Sequence, residues 1–296
     1  MKQKKHFTRK KQKYGKSKSQ GAAFLFLLPS FAGSAVFLIV PFGDVVRRSF
    51  TEAVSGAFVG LANYRAIFTN RAFLLAMKNT LRFLAVCIPL LVVISLALAV
   101  ILKKQSRFSR LCKTSFLLPM ALPVACVVLL WKALFSGQGL INGWLSYIGI
   151  PGLDYMNTNA AFWVLMISYL WRNVGYDMVL WMAGLSGIPE SLYEAARVDG
   201  AGEWRCFVSI TLPNLLPSLS TITILSLLNA FKVFREAYLT AGDYPHESIY
   251  LIQHLFNNWY RDLSLDKMAA AAVVNCAGIL VLVLLLLASW GKEDME

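Results

Sequence analysis

The chain has 296 residues, of which 57% are hydrophobic and 15% are charged, and its formal net charge is +13. Soluble domains carry roughly 25% charged residues, so this composition excludes a water-soluble globule, a disordered chain and a disulfide scaffold. It indicates an integral membrane protein. We expect an all-α fold, because a helix satisfies its own backbone hydrogen bonds within lipid.

Six apolar stretches are long enough to cross a bilayer as helices, which takes about 20 residues each. They lie at about 22–42, 80–102, 114–134, 160–184, 216–236 and 269–290. None alternates polar and apolar residues with a period of two, as a membrane barrel strand does. The first helix is predicted to end near Pro41, and Pro119 and Pro123 predict a kink in the third.

Positive charges predict the orientation, because cytoplasmic segments are enriched in Lys and Arg. A basic tail occupies residues 1–20, and a second basic segment, 103–113, follows the second span. Placing both inside also puts the loop at 185–214 and both chain ends in the cytoplasm. The basic charge then reflects topology and contact with anionic lipid. We expect no nucleic-acid binding, because few aromatic residues are interleaved with the charges of the tail.

The inner loop at about 185–214 is longer than a simple connection needs, and it predicts two short helices with a bend between them. Pro189 suits the first helical position, where its missing N–H is not needed. Glu194-Ala195-Ala196 favours continued helix. Asp199-Gly200 predicts the stop, because Gly adopts the left-handed conformation without strain. A second helical stretch is expected at about 202–209.

The same loop carries a spaced pattern that resembles the "EAA" loop of ABC importer permeases, the inner-membrane components of binding-protein-dependent transport systems. The matching residues are Glu194, Ala195, Ala196, Asp199, Gly200, Ala201, Ile210, Leu212 and Pro213. The preceding segment, 185–193, resembles the carbohydrate branch of that family. The likeness extends over the six-span layout from about residue 20 to the end of the chain.

The resemblance implies a type I ABC importer permease that forms half of the pathway for a sugar or sugar derivative across the bacterial cytoplasmic membrane. It implies a first helix with an outer segment at 21–74 and a core transmembrane domain at 75–291. The EAA loop is expected to act as a coupling helix that docks onto a cytoplasmic ATPase pair. A second permease, often a different chain, and an extracellular sugar-binding protein are the other implied partners.

No catalytic or cofactor site is expected in this chain. The phosphate-binding pattern G-x-x-x-x-G-K-[ST] is absent, so ATP and Mg²⁺ are expected on the separate ATPase. No spacing of Cys or His residues suggests a metal site, and His246-Glu247 lacks the second His of a zinc protease. An intramembrane enzyme and an ion-coupled secondary transporter are the two rival interpretations. The second would be expected to show more spans and inverted repeats.

Polar residues inside the predicted spans are the candidates for the transport pathway, because charges in a bilayer usually face a cavity or a partner. Arg172 lies near the middle of the fourth span, and Asn173 and Asp177 share a face of it. Ser226 and Asn229 belong to a polar stripe on the fifth span, together with Ser218, Thr221, Lys232 and Glu236, whereas Arg235 lies off that stripe. A structural ion pair or a contact with the second permease remains an equal alternative for the fourth-span group.

The outer loop at about 237–268 is rich in aromatic residues. Two roles fit this composition equally well. Aromatic side chains with polar neighbours suit recognition of a binding protein, and they also anchor segments at the membrane interface. The members are Tyr238, Tyr244, Tyr250, Phe256, Trp259 and Tyr260.

Overall fold

The computed structural model describes residues 26–103 and 106–290, without the side chains of 289 and 290. The predicted basic tail at 1–20 and the start of the first span lie outside the described residues. So do residues 104–105 of the second basic segment and the C-terminal end. Every named element in the described part is helical, and Thr51 and Phe58 form an isolated antiparallel bridge.

Thirteen helices, α1 to α13, define the architecture of the described residues. In chain order they are Phe26–Ser49, Ala62–Thr69, Arg71–Ile101, Arg107–Ala121, Val124–Phe135, Leu140–Tyr147, Ala161–Ser186, Glu190–Val198, Glu203–Cys206, Leu216–Ala230, Phe234–Ala241, Ile252–Arg261 and Leu265–Trp290. A π-helical segment, Phe207–Thr211, and a single turn, Leu212–Asn214, follow α9. A 3₁₀ turn, Phe231–Val233, joins α10 to α11.

Five helical stretches of the described residues are long and apolar enough to cross a membrane. They are Phe26–Ser49, Arg71–Ile101, Val124–Tyr147, Leu216–Ala241 and Leu265–Ala288. The predicted fourth span corresponds to α7, whose 26 residues reach across a hydrocarbon core of about 30 Å at about 1.5 Å per residue. Helix α7 carries Arg172 and Asp177 and is not one of the five apolar stretches. The number of spans and the side of the membrane on which each end lies therefore stay predictions.

The first span does not end near Pro41, and that prediction was wrong. The helix continues to Ser49 through a π-helical turn at Ala35–Ile39, which ends two residues before the proline. Pro41 therefore falls in the first turn of the α-helical segment that follows, where its missing N–H is tolerated. The second span also begins earlier than predicted, at Arg71.

The predicted kink in the third span is a complete break. Helix α4 ends at Ala121 and α5 begins at Val124, with Leu122 and Pro123 in extended conformations between them. Pro123 forces this geometry, because its ring disfavours helix in the preceding residue and it has no N–H to donate. The break leaves backbone carbonyl groups without partners inside their own helix.

Helix α7 is the centre of the fold, with α3, α4 and α10 packed along it. Their shared core is apolar and includes the buried side chains Phe83, Cys87, Leu91, Phe162, Leu165 and Tyr169. A close approach of backbones joins α7 to α4, since a Cβ added at Gly175 would lie 2.0 Å from the carbonyl oxygen of Phe116. Small residues at helix crossings in membranes serve this purpose.

The outer segments form a second apolar cluster around α12. Ile252 and Leu255 are buried against α3 and α13, and Tyr250 and Trp259 are only 8% exposed. Two of the outer-loop aromatics are therefore packing residues. Tyr244 and Tyr260 remain largely exposed, and they are the members of the aromatic group that are free to contact a partner or the interface.

Candidate functional site

The inner loop folds as two short helices with a bend, as its sequence predicts. Helix α8 carries Glu190 in its first turn and Arg197 in its last, charges that complement the helix dipole at each end. Pro189 precedes the helix as its N-cap, one position earlier than predicted. The second helical stretch begins at Glu203, with Gly202 as its N-cap.

The bend after α8 is a Schellman motif built from the residues of the EAA pattern. The N–H of Ala201 donates to the carbonyl of Ala196 at 2.9 Å, and the N–H of Gly200 donates to Arg197 at 3.0 Å. These two bonds satisfy carbonyls at the end of the helix. Gly200 has φ of +79°, in the left-handed region that costs other residues free energy.

Side-chain contacts attach α8 to the rest of the chain. The hydroxyl of Tyr193 lies 2.9 Å from Oγ1 of Thr211, and Nζ of Lys103 lies 4.8 Å from the centre of the Tyr193 ring. Ile188 packs on the core cluster that contains Trp181, Leu185 and Leu215. Tyr193 and Ile188 therefore join α8 and the residues before it to the π-helical segment, to the end of the second span and to the core around α7.

The I-x-L-P end of the pattern lies in an irregular helical segment. Ile210 belongs to the π-helical segment Phe207–Thr211, in which the N–H of Leu212 bonds to the carbonyl of Phe207. Pro213 has no N–H to continue an α-helical ladder. The side-chain amide of Asn214 donates to the carbonyl of Ile210 at 2.7 Å and compensates for the disrupted bonding.

The loop presents an exposed surface on which sequence reasoning missed two residues. Val198 is 87% exposed and Trp204 is 76% exposed, while Glu194 is exposed and makes no ion pair among the described residues. An exposed Trp is typical of protein interfaces. The signal for Trp204 was present in the sequence as an aromatic residue within a polar loop.

Within the membrane region, an ion pair links three parts of the fold. Arg172 on α7 pairs with Glu236 on α11, and both side chains are largely buried. A second guanidinium nitrogen donates to the carbonyl oxygen of Leu122 at 3.3 Å. That carbonyl was released by the break at Pro123, so Arg172 satisfies both the carboxylate and the interrupted backbone.

Asp177 and Ser226 form a separate buried contact between α7 and α10. The hydroxyl of Ser226 donates to Oδ2 of Asp177 at 2.7 Å, and Tyr169 donates to the carbonyl of Ser226 at 2.8 Å. Asp177 is 1% exposed, and its Oδ1 has no hydrogen-bond partner among the described residues. Neither Asp177 nor Ser226 lines the open cleft described next.

An open cleft lies between α7, α10–α11 and the break in the third span. Three of the five predicted pathway residues, Arg172, Asn173 and Asn229, lie on its walls. Asn173 donates to the carbonyl of Tyr169 on its own helix, and Asn229 accepts from Nζ of Lys232. The other lining residues are Met120, Val124, Tyr169, Lys232, Val233, Arg235 and Glu236. Lys232 and Glu236 belong to the same predicted stripe as Asn229, whereas Arg235, which was predicted to lie off that stripe, also lines the cleft.

The described residues contain no group of three or more His, Cys, Asp or Glu side chains placed to hold a metal ion. The arrangement suits the binding of a partner and the transmission of movement. An exposed, rigidly capped loop is attached to the helices that border a polar cleft. Such a chain is suited to transmit a displacement from a partner to a membrane pathway.

The family model for the inner-membrane component of binding-protein-dependent transport systems matches residues 91–292. The chain belongs to this family and is an inner-membrane protein. It is 30% identical over 278 residues to the probable ABC transporter permease YesP of Bacillus subtilis, covering 89% of each chain. It is also 32% identical to the trehalose/maltose permease MalF of Thermococcus litoralis, covering 84% of this chain and 86% of the relative.

A third relative is the sn-glycerol-3-phosphate permease UgpA of Yersinia enterocolitica, 31% identical over 85% of this chain and 88% of its own. Among solved structures, the fold is similar to a chain of a bacterial ABC transporter involved in the import of the acidic polysaccharide alginate. The TM-score is 0.80 at 22% identity, and the match covers 93% of this chain and 96% of that one. The all-helical ABC permease fold predicted from the sequence is therefore confirmed.

Proposed function

We propose that this chain forms half of the translocation pathway for a sugar or sugar derivative in an ATP-driven importer. Separate cytoplasmic ATPase subunits supply the energy and hold ATP and Mg²⁺. A second permease, a different chain, completes the pathway, and an extracellular binding protein delivers the cargo. The relatives named for glycerol phosphate, trehalose and maltose support a carbohydrate-type cargo, as does a lactose permease of Rhizobium radiobacter that is 29% identical.

The geometry of the inner loop is the observation that carries this proposal. Helix α8 is exposed, capped at its C-terminal end by a Schellman motif, and joined to the core through Tyr193 and Ile188. A rigid element of this kind transmits displacement without losing it to local bending. Glu194, Val198 and Trp204 offer one charge and two apolar side chains to a docking partner.

The interior of the chain fits the same role. Helices α7 and α10 receive the contacts of the loop and also border the polar cleft. We expect movement of the loop to change the walls of the cleft, because the two share these helices. Alternating access needs only such rigid-body motion between two states. The division into a 21–74 segment and a 75–291 core, with the loop at 185–214 facing the cytoplasm, completes the proposal.

The experiment is purification of the tagged chain from its native cells in a mild detergent, with every stoichiometric partner identified by mass. We expect an ATPase and a second permease. A matched preparation of the variant Trp204→Ser, Val198→Ser is expected to retain the second permease and to lose most of the ATPase. Recovery of the chain alone in several mild detergents would support an ion-coupled transporter or an enzyme in place of an ATP-driven importer.

A further inference from the structure

The cleft between α7, α10–α11 and the broken third span has an unequal balance of charge. Three cationic side chains line it, Arg172, Lys232 and Arg235, against the single carboxylate of Glu236. The wall from the third span contributes only the apolar Met120 and Val124. No acidic residue on that wall therefore offsets the cations, and the balance is set by α7 and α11 with the turn before it.

The ion pair with Glu236 neutralises one of the three cations, Arg172. Glu236 is engaged by Arg172, whose other nitrogen donates to the Leu122 carbonyl. Lys232 bonds only to the neutral amide oxygen of Asn229, at 2.7 Å. Arg235 forms no ion pair within the described part of the chain. Lys232 and Arg235 therefore leave an uncompensated positive charge at the cleft.

The position of these two cations disfavours a lipid-facing role. Both side chains are exposed on the surface of the chain, in the second half of the 26-residue apolar stretch Leu216–Ala241. An unpaired cation facing hydrocarbon at that depth is costly, so such residues face a water-filled path or a partner. The cleft is the polar space that they share with the buried Arg172–Glu236 pair.

We propose that this cleft receives the anionic group of a charged carbohydrate, the carboxylate of a uronic acid or a phosphate ester. The inference rests on the proposed importer function and names its substrate class. Lys232 and Arg235 balance the anionic charge, because charge-assisted hydrogen bonds to an anion are stronger than neutral ones. Asn229 keeps its amide N–H groups for the sugar hydroxyls, and Asn173 keeps its side-chain oxygen.

The names of the relatives do not decide this point, since they include both neutral and anionic cargo. They include lactose and trehalose/maltose permeases, named for neutral sugars, and a permease named for the anionic glycerol phosphate. Lys232 and Arg235 themselves favour an anionic cargo. In a pathway for a neutral sugar, two uncompensated cations would lose hydration each time the path closes and would gain no anionic partner from the cargo.

The test uses the complete importer, isolated from native cells with its partners and placed in liposomes with its binding protein. The probes are matched pairs: sn-glycerol 3-phosphate against glycerol, glucose 1-phosphate against glucose, and trigalacturonate against maltotriose. ATP-dependent accumulation of each is measured by mass. We expect at least one anionic member to accumulate about ten-fold more than its neutral partner, and the preferred member distinguishes a phosphate from a carboxylate cargo.

Two variants and one control locate the effect. Lys232→Gln and Arg235→Gln are expected to lower uptake of the preferred anion about ten-fold each. Lys132→Gln, which removes an exposed cation of α5 outside the cleft, is expected to keep it. In the unchanged protein, raising ionic strength is expected to weaken uptake, because salt screens the attraction between exposed charges. This last measurement does not depend on a variant that folds poorly.

Different contrary outcomes would overturn the anionic substrate class and the importer function. ATP-dependent uptake of neutral sugars at equal or higher levels overturns the anionic substrate and leaves the importer intact. Preferred uptake of an anion with both Gln variants unaffected overturns the role of the cleft. Absence of ATP-dependent uptake of all six probes overturns the substrate inference, whereas the proposed function is overturned only if no ATPase and no second permease copurify with the chain.

Discussion

Arg172 connects the broken third span to α11 through two different kinds of bond. Its ion pair with Glu236 joins residues 64 positions apart, and its hydrogen bond to Leu122 closes the gap left by Pro123. A buried pair of this type contributes little to stability relative to apolar residues of similar size. Breaking it is costly, because one charge is left buried without a partner.

We therefore predict that Arg172→Ala lowers the free energy of unfolding by about 3–5 kcal/mol. The double variant Arg172→Met, Glu236→Leu is expected to recover most of that loss, since no buried charge remains. Thermal unfolding of the purified proteins in one detergent measures both. A single variant as stable as the unchanged protein would contradict the structural part of this role.

His254 is a second residue whose ionisation depends on its packing. Its side chain is fully buried, and burial lowers the pKa of His254 to about 4 from a usual value of 6.5. Its Nδ1 accepts the N–H of Leu251 at 3.1 Å, which requires the neutral ring. Its Nε2 has no partner among the described residues.

The shift in pKa predicts a pH dependence of stability with a definite sign. Between pH 6.5 and 4 the unfolded chain binds a proton that the folded chain excludes, so stability falls as the pH falls through that window. The loss between pH 7 and pH 5 is about 2 kcal/mol. Unfolding measured at both pH values is expected to show a smaller loss for His254→Gln than for the unchanged protein.

At the scale of elements, the crossing of α4 and α7 depends on the absence of a side chain. A Cβ at Gly175 would overlap the backbone of Phe116, and backbone atoms cannot move aside as a flexible side chain does. We predict that Gly175→Ala destabilises the protein by about 1–3 kcal/mol through overpacking. Gly278→Ala on α13 is the matched control, because no described atom beyond its chain neighbours and the backbone of its own helix lies within 4 Å of the added group.

The control is expected to be as stable as the unchanged protein or more so by up to about 1 kcal/mol, since Ala favours helix over Gly. Differential scanning calorimetry of the two variants in the same detergent separates the helix preference of Ala from the overlap of its Cβ with the backbone of Phe116. Equal stability of the two variants would mean that α4 and α7 do not approach as closely as their backbones indicate.

The bend of the inner loop gives the second prediction at this scale. Gly200 has φ of +79° and open space around it, whereas Gly202 has φ of −71° and equal space. Gly200→Ala therefore carries a backbone cost of about 1–2 kcal/mol that Gly202→Ala does not. We expect Gly200→Ala to lower ATPase retention and substrate-stimulated ATP hydrolysis while membrane insertion is unchanged.

Glu194→Lys tests the charge on the same surface without affecting the bend. It is expected to weaken coupling as well, because Glu194 is exposed and has no ion-pair partner in the described chain. Normal ATP hydrolysis in both Gly200→Ala and Glu194→Lys would argue against a coupling role for α8.

For the whole molecule, the predicted orientation places the segment before α2 outside and α8 inside. Ser55 and Ser191 are exposed residues in these two segments. In a variant with the five native cysteines replaced, an impermeant maleimide is expected to label Ser55→Cys in intact cells. Ser191→Cys is expected to react only after permeabilisation. Labelling of both from outside would reverse or break the predicted topology.

Much of the fold could be predicted from the sequence, because its signals are local. Apolar length marks a span wherever it occurs, and a Gly after a short helix predicts the bend at Gly200. Pro41 shows the limit of such reasoning. A π-helical turn at Ala35–Ile39 lets the first span pass the proline, and no local pattern announces that change of register.

In the candidate site too, some features follow from the local sequence and others depend on tertiary packing. The sequence by itself determined the membrane class, the helical elements and the bent, two-helix loop at 185–214, since composition and short-range spacing are enough for each. Only the tertiary structure decided that Arg172 meets Glu236, that Asp177 is buried with Ser226, and that Lys232 and Arg235 remain uncompensated at the cleft. Partners far apart in the chain are selected by helix packing, which the spacing of residues along one helix does not specify.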